Sequence, residues 1–118
     1  MRNIYLLAAV VAVAVLIIVS CSKDGGGGGA SVDCSTVTNK AFAADVNPII
    51  QSTCTQPTCH GNGSGNGPGA LTSYSQVFNA RSSIRAVIIS GQMPQMLTLP
   101  ASQKNSIICW IDSGAPNN

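Results

Sequence analysis

Charged side chains are scarce in this chain of 118 residues. Only 8% of the residues are Asp, Glu, Lys or Arg, the formal net charge is +2, and no basic patch of the kind that binds nucleic acid is present. His60 is the single histidine, so no serine or cysteine nucleophile has a second imidazole beside it. No pair of carboxylates is placed for acid–base catalysis. The sequence therefore predicts a protein that is not itself an enzyme and that does not bind nucleic acid.

Alternation of polar and apolar residues, the pattern of a half-buried strand, is missing over any useful length. Helical patterns occur instead, and we expect an all-α domain. Pro48 suits a first helical turn that Asp45 or Asn47 would cap, Gly91 suits a C-cap, and Ser102 suits the cap of the last helix. The predicted helical stretches are 42–53, 71–78 (interrupted), 80–90 and 101–112.

The folded part of the chain has few aromatic residues. Beyond residue 33 it contains only Phe42, Tyr74, Phe78 and Trp110. A small domain with so poor a core is marginal by itself, and such domains usually depend on disulfides, a metal or another cofactor. We therefore expect covalent cross-links, a bound prosthetic group, or both.

The first 21 residues have the features of a targeting segment. An apolar run follows Arg2 and ends in Ser20-Cys21, which looks like a bacterial lipobox, and it is short for a membrane span, which needs about 20 residues. We predict a signal peptide over 1–20, lipidation of Cys21, a flexible glycine-rich linker to residue 33 and one domain over 34–118. An uncleaved membrane helix is the alternative. Both place the domain in the cell envelope, periplasmic or surface-facing, and tethered to a membrane.

Cys54, Cys59 and His60 form the most informative motif of the sequence. A pair of cysteines with a histidine directly after the second is typical of a c-type haem attachment site. In such a site each thiol adds to a haem vinyl group, and the adjacent imidazole binds the iron. The spacer here has four residues instead of the common two. We expect the extra residues to bulge outward at Pro57, and the glycine-rich stretch 61–69 to form a surface loop at one edge of the site.

The order of these features resembles the class I cytochrome c fold, in particular the small cytochrome c domains of bacterial lipoproteins. The resemblance covers residues 44–118, and the order and spacing of the matching residues are fairly specific. It is carried by Ile49-Ile50, Cys59-His60-Gly61, Leu71 with Ser73-Tyr74, Arg81 with Ile84, Gly91-Gln92-Met93-Pro94, Ile107 with Trp110-Ile111, and Gly114-Ala115-Pro116.

The resemblance implies a role for each residue of the motif. Cys54 and Cys59 would carry haem c through thioethers, His60 would be the proximal iron ligand and Met93 the distal one. Met96, three residues later, is the competing distal ligand. A His/Met pair raises the reduction potential, because a soft thioether favours ferrous iron.

The resemblance further implies that Tyr74 and Trp110 pack against the haem, with their polar edges bonded to a propionate or a backbone carbonyl. The expected protein is a monomeric, membrane-tethered, monohaem c-type cytochrome. It would pass single electrons between redox partner proteins, either freely or as a subunit of a larger oxidoreductase.

The remaining cysteines leave alternatives open. If Cys54 and Cys59 hold haem, Cys34 and Cys109 are left as one disulfide pair. The same four cysteines could instead form two disulfides, Cys34–Cys109 and a local Cys54–Cys59 bond. The chain would then be a haemless, disulfide-stapled module for binding or spacing at the cell surface. A third hypothesis is zinc bound by Cys54, Cys59, His60 and Cys109, which an oxidising compartment disfavours.

Overall fold

The computed structural model describes residues 31–118 and contains only helices and loops in that range. The predicted signal peptide, Cys21 and the linker up to residue 30 lie outside the described residues. A π-helical segment, Phe42–Val46, runs directly into α1, Asn47–Thr53; α2 spans Tyr74–Ser90 and α3 spans Ala101–Asp112. The prediction of an all-α domain is confirmed for this part of the chain.

No helix within residues 31–118 has the length and apolar character needed to cross a bilayer.

The first helical segment is held at its start by a residue far away in sequence. The side-chain oxygen of Asn118 accepts the N–H of Phe42 at 2.9 Å, and its backbone oxygen accepts the N–H of Ala43 at 2.7 Å. Asp45 accepts the N–H of Ala41 at 2.9 Å. These contacts satisfy amides that the first turn of a helix leaves without partners. Pro48 lies in the first turn of α1, as predicted.

The two predicted middle helices are one continuous helix, α2. Its start is fixed by a capping box, in which the Ser73 side chain accepts the N–H of Gln76 and the Gln76 side chain accepts the N–H of Ser73. The prediction that helix begins near residue 71 is therefore wrong, and no break occurs before residue 80. Gly91 ends the helix with φ 75°, the left-handed C-cap that the sequence predicts.

The core lies where the buried faces of these helices meet. Phe42 packs edge-on against Tyr74, with ring centroids 4.9 Å apart, and lies 5.2 Å from Trp110. Burying one such large apolar side chain contributes roughly 1.5–3 kcal/mol. The buried apolar side chains are Phe42, Val46, Ile49, Ile50, Leu71, Val77, Ala80, Ile84, Ile88, Leu99, Ile107, Ile108, Trp110 and Ala115.

The last helix, α3, has the predicted bounds and carries the most deeply buried stretch, residues 106–110. The prediction that Ser102 caps it is wrong: the N-cap residue is Pro100, Ser102 lies inside the helix, and no side chain caps its start. Cys109, fully buried on α3, forms a disulfide with Cys34 over a Cα–Cα distance of 5.4 Å. The bond ties the segment before the π-helical segment to the buried face of α3.

Candidate functional site

Cys54 stands at the end of α1, as its C-cap residue. Its N–H donates to the carbonyl oxygen of Ile50 at 2.8 Å, so the helix fixes the backbone from which the thiol projects. The thiol is free and half-buried. Burial, and secondly the neighbouring Cys59, raise the pKa of Cys54 to about 11. A thiol in this state is protonated at neutral pH.

The four-residue spacer bulges outward, as expected from Pro57. Gln56, Pro57 and Thr58 are exposed, while the N–H of His60 returns to the carbonyl oxygen of Cys54 at 2.9 Å. A second bond, from the N–H of Cys59 to the carbonyl of Gln56 at 2.8 Å, closes the turn. The longer spacer therefore still brings both cysteines and the histidine into one turn.

Gly61 is favoured by the close approach of this bulge. A Cβ atom at Gly61 would lie 3.0 Å from the carbonyl oxygen of Thr55 and 3.2 Å from that of Gln56. Both neighbours are backbone atoms, which cannot swing aside as a long side chain does. The absence of a side chain at Gly61 thus lets the spacer backbone pack closely against this residue.

His60 is buried and its ring is held by one hydrogen bond. Its Nδ1 lies 3.0 Å from the carbonyl oxygen of Gly69. Because a carbonyl only accepts, Nδ1 carries the proton in this contact, and a neutral ring then keeps its lone pair on Nε2. Nε2 makes no hydrogen bond within residues 31–118. Every fully buried polar side-chain atom in that range is paired, so Nε2 is not completely buried. This is the orientation that second-shell carbonyls impose on metal-binding histidines.

The glycine-rich loop 61–69 holds the motif from the other side. The side-chain amide of Asn66 donates to the carbonyl oxygens of Thr58, at 3.0 Å, and of Cys59, at 2.9 Å. The Ser64 hydroxyl also donates to the Cys59 carbonyl. The sequence predicts only a surface loop here; the one hint of these contacts is the alternation of glycine with serine and asparagine.

The two candidate distal ligands occupy different environments. Met93 is half-buried and lines a cavity of about 110 Å³ beside Ile88, Leu99 and Lys104, whereas Met96 is 97% exposed. None of Cys54, Cys59 and His60 lines that cavity. Backbone hydrogen bonds place Cys54, Cys59 and His60 in one turn of the chain, while the pairing of Met93 with His60 stays a prediction.

Tyr74 and Trp110 belong to the protein core. The Tyr74 hydroxyl donates to the carbonyl oxygen of Ala115 and the Trp110 Nε1 to that of Pro116, each at 2.8 Å. The indole of Trp110 is fully covered by protein. Their polar edges thus bond backbone carbonyls, one of the two partners the sequence suggested, and their contact with a haem stays a prediction.

The four cysteines among residues 31–118 divide into two pairs. Cys34 and Cys109 are disulfide-bonded, whereas Cys54 and Cys59 are free thiols. The bond to Cys34 takes Cys109 out of the proposed zinc set. Within residues 31–118, no three His, Cys, Asp or Glu side chains form a group that could hold a metal ion. The four-ligand zinc hypothesis therefore does not fit this arrangement.

Comparisons with protein-family models, with curated proteins and with solved structures found no match to this chain. The functional argument therefore rests on the motif and on the geometry around it.

Proposed function

We propose that this chain is a membrane-tethered, monohaem c-type cytochrome that carries single electrons between redox partner proteins. The observation that carries the proposal is the turn from Cys54 to His60. Two free thiols and one imidazole lie in the same turn, and the imidazole is fixed through Nδ1 so that Nε2 is left to bind a metal.

The donor set of this turn fits a covalently attached haem. Cys54 and Cys59 would hold the group through thioethers, and Nε2 of His60 would be the proximal iron ligand. When bound, the haem supplies a centre that gains and loses one electron. Cys54 and Cys59 would attach the group, and the carbonyl oxygen of Gly69 orients the imidazole ring of His60.

Met93 is proposed as the distal ligand. Its half-buried position on a cavity wall, compared with the exposed side chain of Met96, favours it over its neighbour. A thioether ligand combined with an imidazole ligand would raise the reduction potential, because the soft thioether favours ferrous iron.

Lipidation at Cys21 is the proposed membrane anchor, and the cell envelope is the proposed location. Residues 21–33 are the proposed anchor and glycine-rich linker. Such a linker would let the domain turn between an electron donor and an acceptor.

A haemless, disulfide-stapled surface module is the second candidate, and the closed core favours it. Trp110 and its neighbours are covered by protein alone, and the Cys34–Cys109 bond already supplies a staple. In that case Cys54 and Cys59 would be oxidised to a local disulfide, with an extracellular thiol oxidant as electron acceptor.

Haem content separates the two candidates. The full chain is expressed with a c-type maturation system, and the purified protein is examined as its pyridine haemochrome. We expect a c-type spectrum that survives acid–organic extraction, with a band position typical of two thioethers. The variants Cys54→Ala and Cys59→Ala should each give the single-thioether band, and the double variant should retain no covalent haem. A folded wild-type protein without covalent haem would overturn the cytochrome proposal.

A further inference from the structure

The peptide unit between Cys59 and His60 is held at both of its polar ends. Its carbonyl oxygen, on Cys59, accepts hydrogen bonds from the Asn66 amide at 2.9 Å and from the Ser64 hydroxyl. Its N–H, on His60, donates to the carbonyl oxygen of Cys54 at 2.9 Å. Because a peptide unit is planar, fixing both ends fixes the plane from which the Cys59 and His60 side chains leave.

The longer spacer makes this support necessary. The two residues beyond the common motif add backbone dihedrals between the cysteines, although Pro57 fixes one φ, and each ordered residue has an entropic cost. The exposed bulge, residues 56–58, packs few side chains that would offset that cost. Asn66 also donates to Thr58, within the bulge itself, at 3.0 Å. One side chain therefore holds the bulge and the peptide that follows it.

We infer that Asn66, together with Ser64, is a positioning residue of the expanded attachment site: it holds the Cys59–His60 peptide so that both thiols and the imidazole can engage one haem. The inference rests on the proposed function for its purpose, whereas the positioning itself is a property of the haem-free chain.

Asn66→Asp is the test variant, because aspartate has nearly the same shape but lacks the two amide N–H donors. Asn62→Asp is the matched control. It adds the same charge to the same loop, and the exposed Asn62 side chain makes no hydrogen bond with the described residues. Ser64→Ala removes the second donor to Cys59 without adding charge.

The first measurement is amide hydrogen exchange of the haem-free full chain with reduced Cys54 and Cys59. Exchange at an amide reports how often its hydrogen bond opens. In Asn66→Asp we expect the amides of Cys59 and His60 to exchange at least tenfold faster, with α3 unchanged, and we expect no change in Asn62→Asp. Equal exchange in the two variants, or a uniform rise along the whole chain, would overturn the inference.

The second measurement is thioether number after maturation with haem. Asn66→Asp should lose at least half of its two-thioether product to a single-thioether product, and Asn62→Asp should match the wild type. If the wild-type chain takes up no haem, the proposed function fails while the exchange experiment still decides the positioning. If the wild type loads and Asn66→Asp loads identically, the positioning role is refuted.

Discussion

His60 and Gly69 are joined by a 3.0 Å contact between the imidazole Nδ1 and a backbone carbonyl oxygen. The ring of the motif and the end of the glycine-rich loop therefore take their positions together. The N–H of Leu71 donates to the carbonyl oxygen of His60 at 2.9 Å, which closes the same loop through the backbone. Leu71 is part of the buried core. The orientation of the candidate ligand is thus tied to the packing of the domain.

The two methionines provide a first prediction. Met93→Ala should change the visible spectrum and lower the reduction potential of the haem-loaded protein, because the soft thioether ligand is lost. Met96→Ala is the control, and its spectrum should match the wild type, since this side chain is 97% exposed. The spectrum and the reduction potential of both variants are measured by a redox titration that is followed at the visible absorption bands. If Met96→Ala alone changes the spectrum, the ligand assignment is reversed.

Gly61→Ala should destabilise the domain by about 1–3 kcal/mol, the usual cost of overpacking. The added methyl group would meet the backbone oxygens of Thr55 and Gln56 at 3.0 and 3.2 Å. Gly65→Ala is the matched control, because a Cβ there meets nothing within 4 Å. Urea unfolding of the haem-free chain measures both. Equal stability of the two variants would show that the bulge can move away from residue 61.

Alkylation should reveal the raised pKa of Cys54. An ordinary free thiol has a pKa of about 8.5, and at a pKa of about 11 far less thiolate is present at pH 8. Allowing for the greater nucleophilicity of a more basic thiolate, we expect Cys54 to react with iodoacetamide at least ~10-fold more slowly in the folded chain than in urea. Mass spectrometry of the Cys54 peptide measures the rate, which should rise with pH up to about 11. A rate equal to that in urea would contradict the prediction.

Removing the disulfide should have a large effect on stability. The bond closes a sequence separation of 75 residues, for which the chain-entropy relation gives about 4.5 kcal/mol. We therefore expect Cys34→Ala/Cys109→Ala to lose roughly that much in urea unfolding. Cys54→Ala/Cys59→Ala in the haem-free chain removes the same number of sulfur atoms and should cost far less. Similar losses in the two double variants would argue against a structural role specific to this bond.

The ion pair between Arg85 and Asp112 should give a small pH-dependent contribution to stability. Two hydrogen bonds, of 2.6 and 2.9 Å, join the side chains, and the guanidinium lowers the pKa of Asp112. A carboxyl with a lowered pKa stabilises the fold above its unfolded pKa of about 3.9, and that contribution is lost as the pH falls through the folded pKa.

Because both groups of this pair are near the surface, Asp112→Asn should cost only about 0.5 kcal/mol at pH 7. Urea unfolding in low salt should show that difference at pH 7 and none at about pH 2, with a smaller difference at high salt. A cost that is independent of pH would indicate packing, not charge, as its origin.

The sequence was most informative where a local signal acts alone. Pro100 before α3 and Gly114 after it bound that helix, and Gly91 ends α2, so these ends were predictable. The start of α2 depends on the reciprocal Ser73–Gln76 cap, which hydrophobic periodicity does not show. The non-helical residues just before Ser73 are therefore predicted as helix when apolar spacing alone is considered.

The site divides in the same way. The residue types of the motif were evident because two cysteines and a histidine stand close in sequence. The hydrogen bond from Asn66 to the Cys59 carbonyl oxygen was not evident from the sequence, since it spans a loop whose path depends on glycine dihedrals. Likewise, Met93 and Met96 have similar local sequence, and only the packing of their loop distinguishes a half-buried side chain from an exposed one.

Trp110 is the only tryptophan of the chain, and its indole is fully covered between the first helical segment and residues 115–116. Fluorescence excited at the red edge of the absorption band therefore reports on that one junction. Emission would follow the separation of Phe42 from α3 during unfolding, and a thiol-accessibility assay would follow the opening of the turn at Cys54 and Cys59. Both assays on the same sample would show whether the core and the turn open at the same urea concentration, as the contact between Leu71 and His60 predicts.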